Sequence, residues 1–153
     1  MYRRIWVLPA LATLLLTSCN SGGCYDNMDV KVYCSFYSQT LQKAVQIDSV
    51  TVWGVGSDSL IYDNETLSEL ALELNPKVQE TKYVVQAIAG GDLYADTLTL
   101  KYTNQPWFQS MECGCMVFST LETFWTTGII FKSATILNPK VINQKTEHVV
   151  LNL

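Results

Sequence analysis

Residues able to do chemistry are few in this chain. There are five cysteines, Cys19, Cys24, Cys34, Cys113 and Cys115, and one histidine, His148. Catalysis by a serine or cysteine nucleophile needs a base beside it and a third group to orient that base. With one histidine, any such site would run through His148, which sits in the apolar "EHVVLNL" and reads as a surface residue of a last strand. No Gly-x-Ser-x-Gly turn flags a nucleophile. Zinc-hydrolase spacing needs two histidines. "CYDNMDVKVYC" and "CGC" lack the paired Cys-x-x-Cys of a four-thiolate zinc site. Asp58, Asp63 and Glu65 lie close enough in sequence to suggest paired carboxylates for glycoside hydrolysis. Carboxylates beside turns are usually solvated or cap the turn, and this spacing fails the calcium-loop pattern. The expectation is a protein with no catalytic residue, no metal and no cofactor.

Strands must position whatever chemistry exists. "DVKVYCSFY" alternates Val30, Val32, Cys34 and Phe36 against Lys31, Tyr33, Ser35 and Tyr37, the period-two pattern of a half-buried strand. "SVTVWGVG" follows, with Trp53 reading as core, and "SLIYD" comes after a Gly56-Ser57-Asp58 turn. "SELALELNP" is ambiguous, because Leu70, Leu72 and Leu74 alternate while the composition favours helix. "TKYVVQAIA" and "DTLTLKYTN" flank Gly90-Gly91 as a hairpin. "ECGCMVFST", "GIIFKSATILN" and "HVVLNL" complete the set, with "STLETFWTT" the one stretch expected to hold a helical turn. The predicted fold is all-β, an antiparallel β-sandwich of about eight strands, immunoglobulin-like or transthyretin-like. "NQPWFQS" reads as a loop after Pro106 that carries Trp107 and Phe108. With Trp125 they are candidate contacts for a sugar or a partner, unless they plug the open end of the sandwich.

The N-terminus supplies an address. Arg3 and Arg4 precede an apolar run from Ile5 to Leu16, too short to span a bilayer as a helix. Charge, apolar segment and small residues follow the order of an export signal. Leu16-Thr17-Ser18-Cys19 resembles the lipobox of bacterial lipoproteins, in which the cysteine thiol is acylated and the chain is cut before it. An uncleaved anchor or a buried N-terminal helix is the alternative, but "NSGG" fits a tether better than a packed helix. The expected organisation is a signal peptide over 1–18, a lipidated tether over 19–27 and one domain over 28–153. Two or three acyl chains on Cys19, palmitate among them, would anchor it stably where one would not. An exported protein meets an oxidising compartment, so the even set Cys24, Cys34, Cys113 and Cys115 is expected to form disulfides. Cys113 and Cys115 are too close to pair without strain, so each is expected to bridge to Cys24 or Cys34, in either connectivity.

Charge excludes one class of partner. Beyond Cys19 there are eight lysines, no arginine and fourteen carboxylates. Nucleic-acid binding depends on cationic neutralisation of phosphates, so no nucleic-acid partner is expected.

The lipobox, "VTVWGVGSDSLIYD", "DTLTLKYT", "SMECGCMVFSTLET" and "LNPKV" together resemble a family of small Bacteroidota lipoproteins classed as a domain of unknown function. The resemblance implies export, a lipid anchor and a β-rich domain, and carries no activity onto any residue. Asp48-Ser49-Val50, Asp58-Ser59-Leu60 and Asp96-Thr97-Leu98 resemble the acceptor for O-glycosylation of exported proteins in that phylum, making Ser49, Ser59 and Thr97 candidates. Asp-Ser and Asp-Thr pairs are equally ordinary turn chemistry. The tether lacks an acidic run after Cys19, which favours a periplasm-facing position on the outer membrane. The functional expectation is a non-catalytic, lipid-anchored envelope lipoprotein that binds or scaffolds an envelope protein. The alternative is a glycan-binding module using the loop aromatics.

Overall fold

The computed structural model describes residues 30–111 and 114–153. The expected signal, the tether, Cys19, Cys24 and Cys113 lie outside them. Eleven strands run in the order β1 (Lys31–Ser38), β2 (Lys43–Ala44), β3 (Ile47–Gly54), β4 (Leu60–Leu67), β5 (Glu69–Glu73), β6 (Glu80–Ala89), β7 (Asp92–Ser110), β8 (Gly114–Thr126), β9 (Ser133–Ile136), β10 (Lys140–Val141) and β11 (Glu147–Asn152). The excess over the expected eight comes from the two-residue pieces β2 and β10 and from the ambiguous "SELALELNP", which forms β5.

The strands form two sheets. One has the order β2-β1-β11-β9 with β5 also paired to β1, and the other β10-β8-β7-β6-β3-β4. The first is not purely antiparallel, since β1 and β11 run parallel. Alternation decides which side chains meet between the sheets: Val32, Cys34 and Phe36 of β1, Leu70 and Leu72 of β5, and Val149 and Leu151 of β11 from the first. Val50, Val52, Tyr83, Val85, Leu98, Leu100, Tyr102, Leu121 and Phe124 face them from the second. In β5 the period-two pattern overrides helical composition, because only a strand buries both Leu70 and Leu72. Trp53 departs from expectation. The core parity of β3 belongs to Val50 and Val52, so Trp53 points away and is half-buried.

Gly90 and Gly91 close the β6–β7 hairpin at Ala89↔Asp92, both with positive φ (63° and 92°), as a two-residue turn requires. The hairpin was legible; the length of β7 was not. It runs nineteen residues, through Pro106, Trp107 and Phe108, so "NQPWFQS" is strand paired to β8 rather than loop. "STLETFWTT" holds no helical turn. Pairing with β7 from Gly114 to Thr126 absorbs it into β8, with a bulge opposite Lys101 and Tyr102 taking up the extra residue.

Four of the crossings between sheets are pinned by a side chain whose polar atoms replace ladder bonds that a crossing chain gives up. Tyr62 of β4 both accepts from the Ala71 N–H (3.0 Å) and donates to its carbonyl across the β4–β5 crossing. Tyr102 donates to the Asn75 carbonyl (3.0 Å), and Tyr83 to that of Glu73, where the chain returns from β5 to β6. Asp96 holds the segment from β8 to β9, and His148 the one from β9 to β10.

Candidate functional site

A concavity of about 790 Å³ opens where β3–β4 and the β5–β6 crossing diverge. Tyr62 and Tyr83 form its floor, and two ion pairs stand on its walls, Lys31–Glu73 (3.4 Å) and Lys82–Glu80 (3.2 Å). Burial, with smaller contributions from Tyr102, Glu73 and Cys34, pushes the Tyr83 phenol up to about 12, so it stays protonated and keeps donating to Glu73. Val55, Ile61 and Val78 are exposed around the rim. The cleft offers hydrogen bonds and matched charges. Among the described residues no His/Cys/Asp/Glu group suited to a metal exists.

His148 is not the surface residue expected from sequence. It is fully buried, its ring stacked on Tyr33 (6.1 Å between centroids). Nδ1 accepts the Tyr33 backbone N–H at 3.1 Å, and Nε2 donates to the Lys140 carbonyl at 3.1 Å. Both nitrogens are engaged, and burial holds the imidazole below its usual pKa against the opposing effect of the Lys140 bond. It is a neutral structural group. Asp58, Asp63 and Glu65 are all exposed, the first in the turn before β4 and the others on this edge strand.

The three candidate aromatics are exposed, Trp107 at 51%, Phe108 at 58% and Trp125 at 43%, but they do not form one surface. Trp107 and Phe108 are consecutive in a strand and point to opposite faces. Trp107 stacks on Phe118, 5.8 Å away. Trp125 pairs with Thr99, eight positions back along β7, so roughly 26 Å separates it from Trp107 at the usual strand rise. Its ring lies under the Lys101 ammonium, 5.4 Å from the centroid.

Of the expected disulfide set, Cys24 and Cys113 lie outside the described residues. Cys34 and Cys115 are both free thiols. Cys34 is wholly buried among core side chains, between Leu70 of β5 and Val149 of β11. Cys115 is exposed and lines a second cleft with Val30 and Lys31. Burial pushes the Cys34 thiol well up, out of the thiolate range. Iodoacetamide labelling of the reduced, folded protein should therefore modify Cys115 at least about a thousandfold faster than Cys34. Peptide mapping that finds equal rates would show that Cys34 is not in the core.

Of the candidate acceptors, Ser59 is exposed in the turn preceding β4, whereas Ser49 and Thr97 are half-buried. Ser49 sits in a bulge at φ 55°. The backbone N–H of Thr97 is held by the Thr127 hydroxyl (3.0 Å), and its neighbour Asp96 is buried. Asp96 is the polar residue that motif reading missed. Its carboxylate accepts from the Thr127 hydroxyl (2.5 Å) and from the backbone N–H groups of Ile129 (2.8 Å), Ile130 (2.7 Å) and Phe131 (2.7 Å). A signal did exist. Asp96 shares parity with Leu98, Leu100 and Tyr102, which places a carboxylate on the core face.

Among the described residues no helix is long and apolar enough to cross a membrane. A family of unknown function (DUF6452) matches residues 49–153. No curated protein and no solved structure gives a significant match.

Proposed function

We propose, for a chain that belongs to this family of unknown function (DUF6452), a non-catalytic role as a lipid-anchored lipoprotein of the cell envelope that binds an envelope protein. The resemblance of Leu16-Thr17-Ser18-Cys19 to a lipobox supports the anchor, and the missing acidic run after Cys19 supports the periplasmic face of the outer membrane. One observation carries the binding role. At the Gly90-Gly91 turn, Ile88 and Leu93 are exposed (49% and 62%) and directly paired on one face of the hairpin. Apolar side chains gathered on one face are what protein interfaces use as anchors. This turn stands at the opposite end of β7 from the Val30 side, where a tether would enter. Commitment of the only histidine to backbone groups argues against acid–base catalysis. The glycan reading is weakened by the separation of Trp107, Phe108 and Trp125, which share no stacking platform.

A photo-crosslinking residue at position 93, incorporated in living cells, should capture one envelope protein. The capture should vanish when Ile88→Lys is added. The Cys19→Ser chain should lose acyl labelling and its place in the membrane fraction. A crosslinker at 93 that captures nothing, alongside glycan binding abolished by Trp107→Ala, would reverse the choice between the two readings.

A further inference from the structure

Past the core, the β7–β8 ribbon continues without a second layer. Leu98, Leu100 and Tyr102 face the core from β7, and Phe108 continues their parity beyond its end, 58% exposed. Trp107 emerges on the other face, and Met111 at the end of the ribbon is 92% exposed. A protein partner would cover one face of such a ribbon. Apolar groups on both faces suit a medium that surrounds the element.

Charge and hydrogen bonding agree. From Tyr102 to Leu121 the sequence has one charged residue, Glu112. Ladder pairing of β7 with β8 extends as far as Ser110↔Gly114 and satisfies the inward-facing backbone groups, while the outer edges still need partners, which the hydrated headgroup region supplies and the hydrocarbon core does not. Tryptophan and phenylalanine flanked by uncharged polar residues match the composition of membrane–water interfaces.

Position supplies the occupant. The cleft beside Cys115 and Val117 is lined by Val30, so the chain enters the domain beside the base of this ribbon. Ten residues separate Cys19 from Val30, so the eleven Cα–Cα steps reach at most about 40 Å. The Gly90-Gly91 turn lies at the other end of the nineteen-residue β7, about 60 Å from the tip at strand rise. An anchor at Cys19 therefore places the ribbon tip, and not the turn, against the bilayer.

We propose that the projecting end of the β7–β8 ribbon, with Trp107, Phe108 and Met111, docks into the headgroup region of the bilayer that holds the lipid anchor. The inference rests on the lipid-anchored reading above. Docking at a second point fixes the domain's orientation and directs the Gly90-Gly91 turn away from the membrane, toward a partner.

The test uses the full mature protein purified with its lipid from membranes and reconstituted into phosphatidylethanolamine–phosphatidylglycerol vesicles. Trp53→Phe with Trp125→Phe leaves Trp107 as the only tryptophan beyond Cys19. Lipid brominated high on its acyl chains should quench Trp107 emission by about half, as expected for a residue at the interface. A matched chain retaining only Trp125 should lose less than about a tenth of its emission. Phe108→Asp with Met111→Asp should leave the protein in the vesicle fraction and abolish quenching of Trp107. Retention in vesicles with Trp107 quenched no more than Trp125 overturns the docking and spares the anchor. A chain without acyl groups that does not float with vesicles overturns the anchor, and with it the orientation on which docking depends.

Discussion

Replacing Asp96 with alanine is expected to lower the unfolding free energy by about 3–5 kcal/mol, a large share of the 5–15 kcal/mol typical of a single domain. The carboxylate is 1% exposed and accepts four hydrogen bonds from one short segment. Hydrogen bonds to a charged acceptor contribute roughly 1.5–3 kcal/mol each and are not additive when shared by one group. The loss is compounded at Phe131. This side chain is fully buried and stacked on Phe36 (5.6 Å, 16°), so its orphaned N–H would find no water. Asp96→Asn keeps the shape but presents one acceptor oxygen and a donor toward N–H groups, so it should recover little. Thr127→Ala removes a single donor and should cost about 1 kcal/mol. Urea denaturation followed by tryptophan emission ranks the three variants. A loss under 1 kcal/mol for Asp96→Ala would show that the segment from Thr127 to Phe131 is held by something else.

The pH dependence has a definite sign. Burial alone would raise the Asp96 pKa, but the hydrogen bonds from Thr127, Phe131, Ile129 and Ile130 outweigh it, and the net shift is downward. A folded pKa below the unfolded value of about 3.9 gives stability that is complete above it and lost as pH falls further. Asp96 therefore contributes to acid denaturation below about pH 4, and the Asn variant should show a shallower loss there.

How far the sequence was readable depends on what kind of interaction set each feature. Strand existence and the face presented by β1 and β5 were legible, because period-two alternation reflects burial directly: Val32, Cys34, Phe36, Leu70 and Leu72 are all at 0% exposure. The extent of β7 and β8 was not. Pro106 and the uncharged polar residues around it carry a turn signature, and only pairing with β8 on the other side of the tip extends the strand through them. Trp53 misled for a related reason, since a large aromatic in an apolar run looks buried while parity assigns the core to its neighbours Val50 and Val52. Which aromatics share a surface and which cysteines could meet are statements about distance across sheets, which spacing along a chain does not encode. Asp96 and His148 show the converse. Each polar residue sits within an apolar alternating segment, and each serves the irregular chain that passes over its strand.

His148 gives the second large effect, and its test is unusually clean because the chain has no other histidine. Truncation to alanine would leave the Tyr33 N–H and the Lys140 carbonyl unpaired at a fully buried position, at an expected cost of about 2–4 kcal/mol. Lys140 opens β10 on the edge of one sheet, whereas Tyr33 and His148 belong to the other, so the loss falls on the contact that joins them. The folded pKa is lowered, chiefly by burial, below the unfolded value of about 6.5. Below pH 6.5 the unfolded chain takes up a proton that the folded chain refuses, because a proton on Nδ1 would face the Tyr33 N–H, itself a donor. The sign follows: this contribution is complete above about pH 6.5 and declines on acidification by up to about 1.4 kcal/mol per pH unit, levelling off once the folded pKa is passed. Between about pH 5 and 6.5, comparison with a variant that lacks the imidazole isolates this residue's part of the slope. Urea midpoints measured across that range should fall for the native sequence and stay flat for His148→Gln, whose amide can donate to Lys140 but takes up no proton. Parallel slopes in the two proteins would mean that the buried imidazole is already protonated, and that the Tyr33–His148–Lys140 link is not the neutral one its geometry requires.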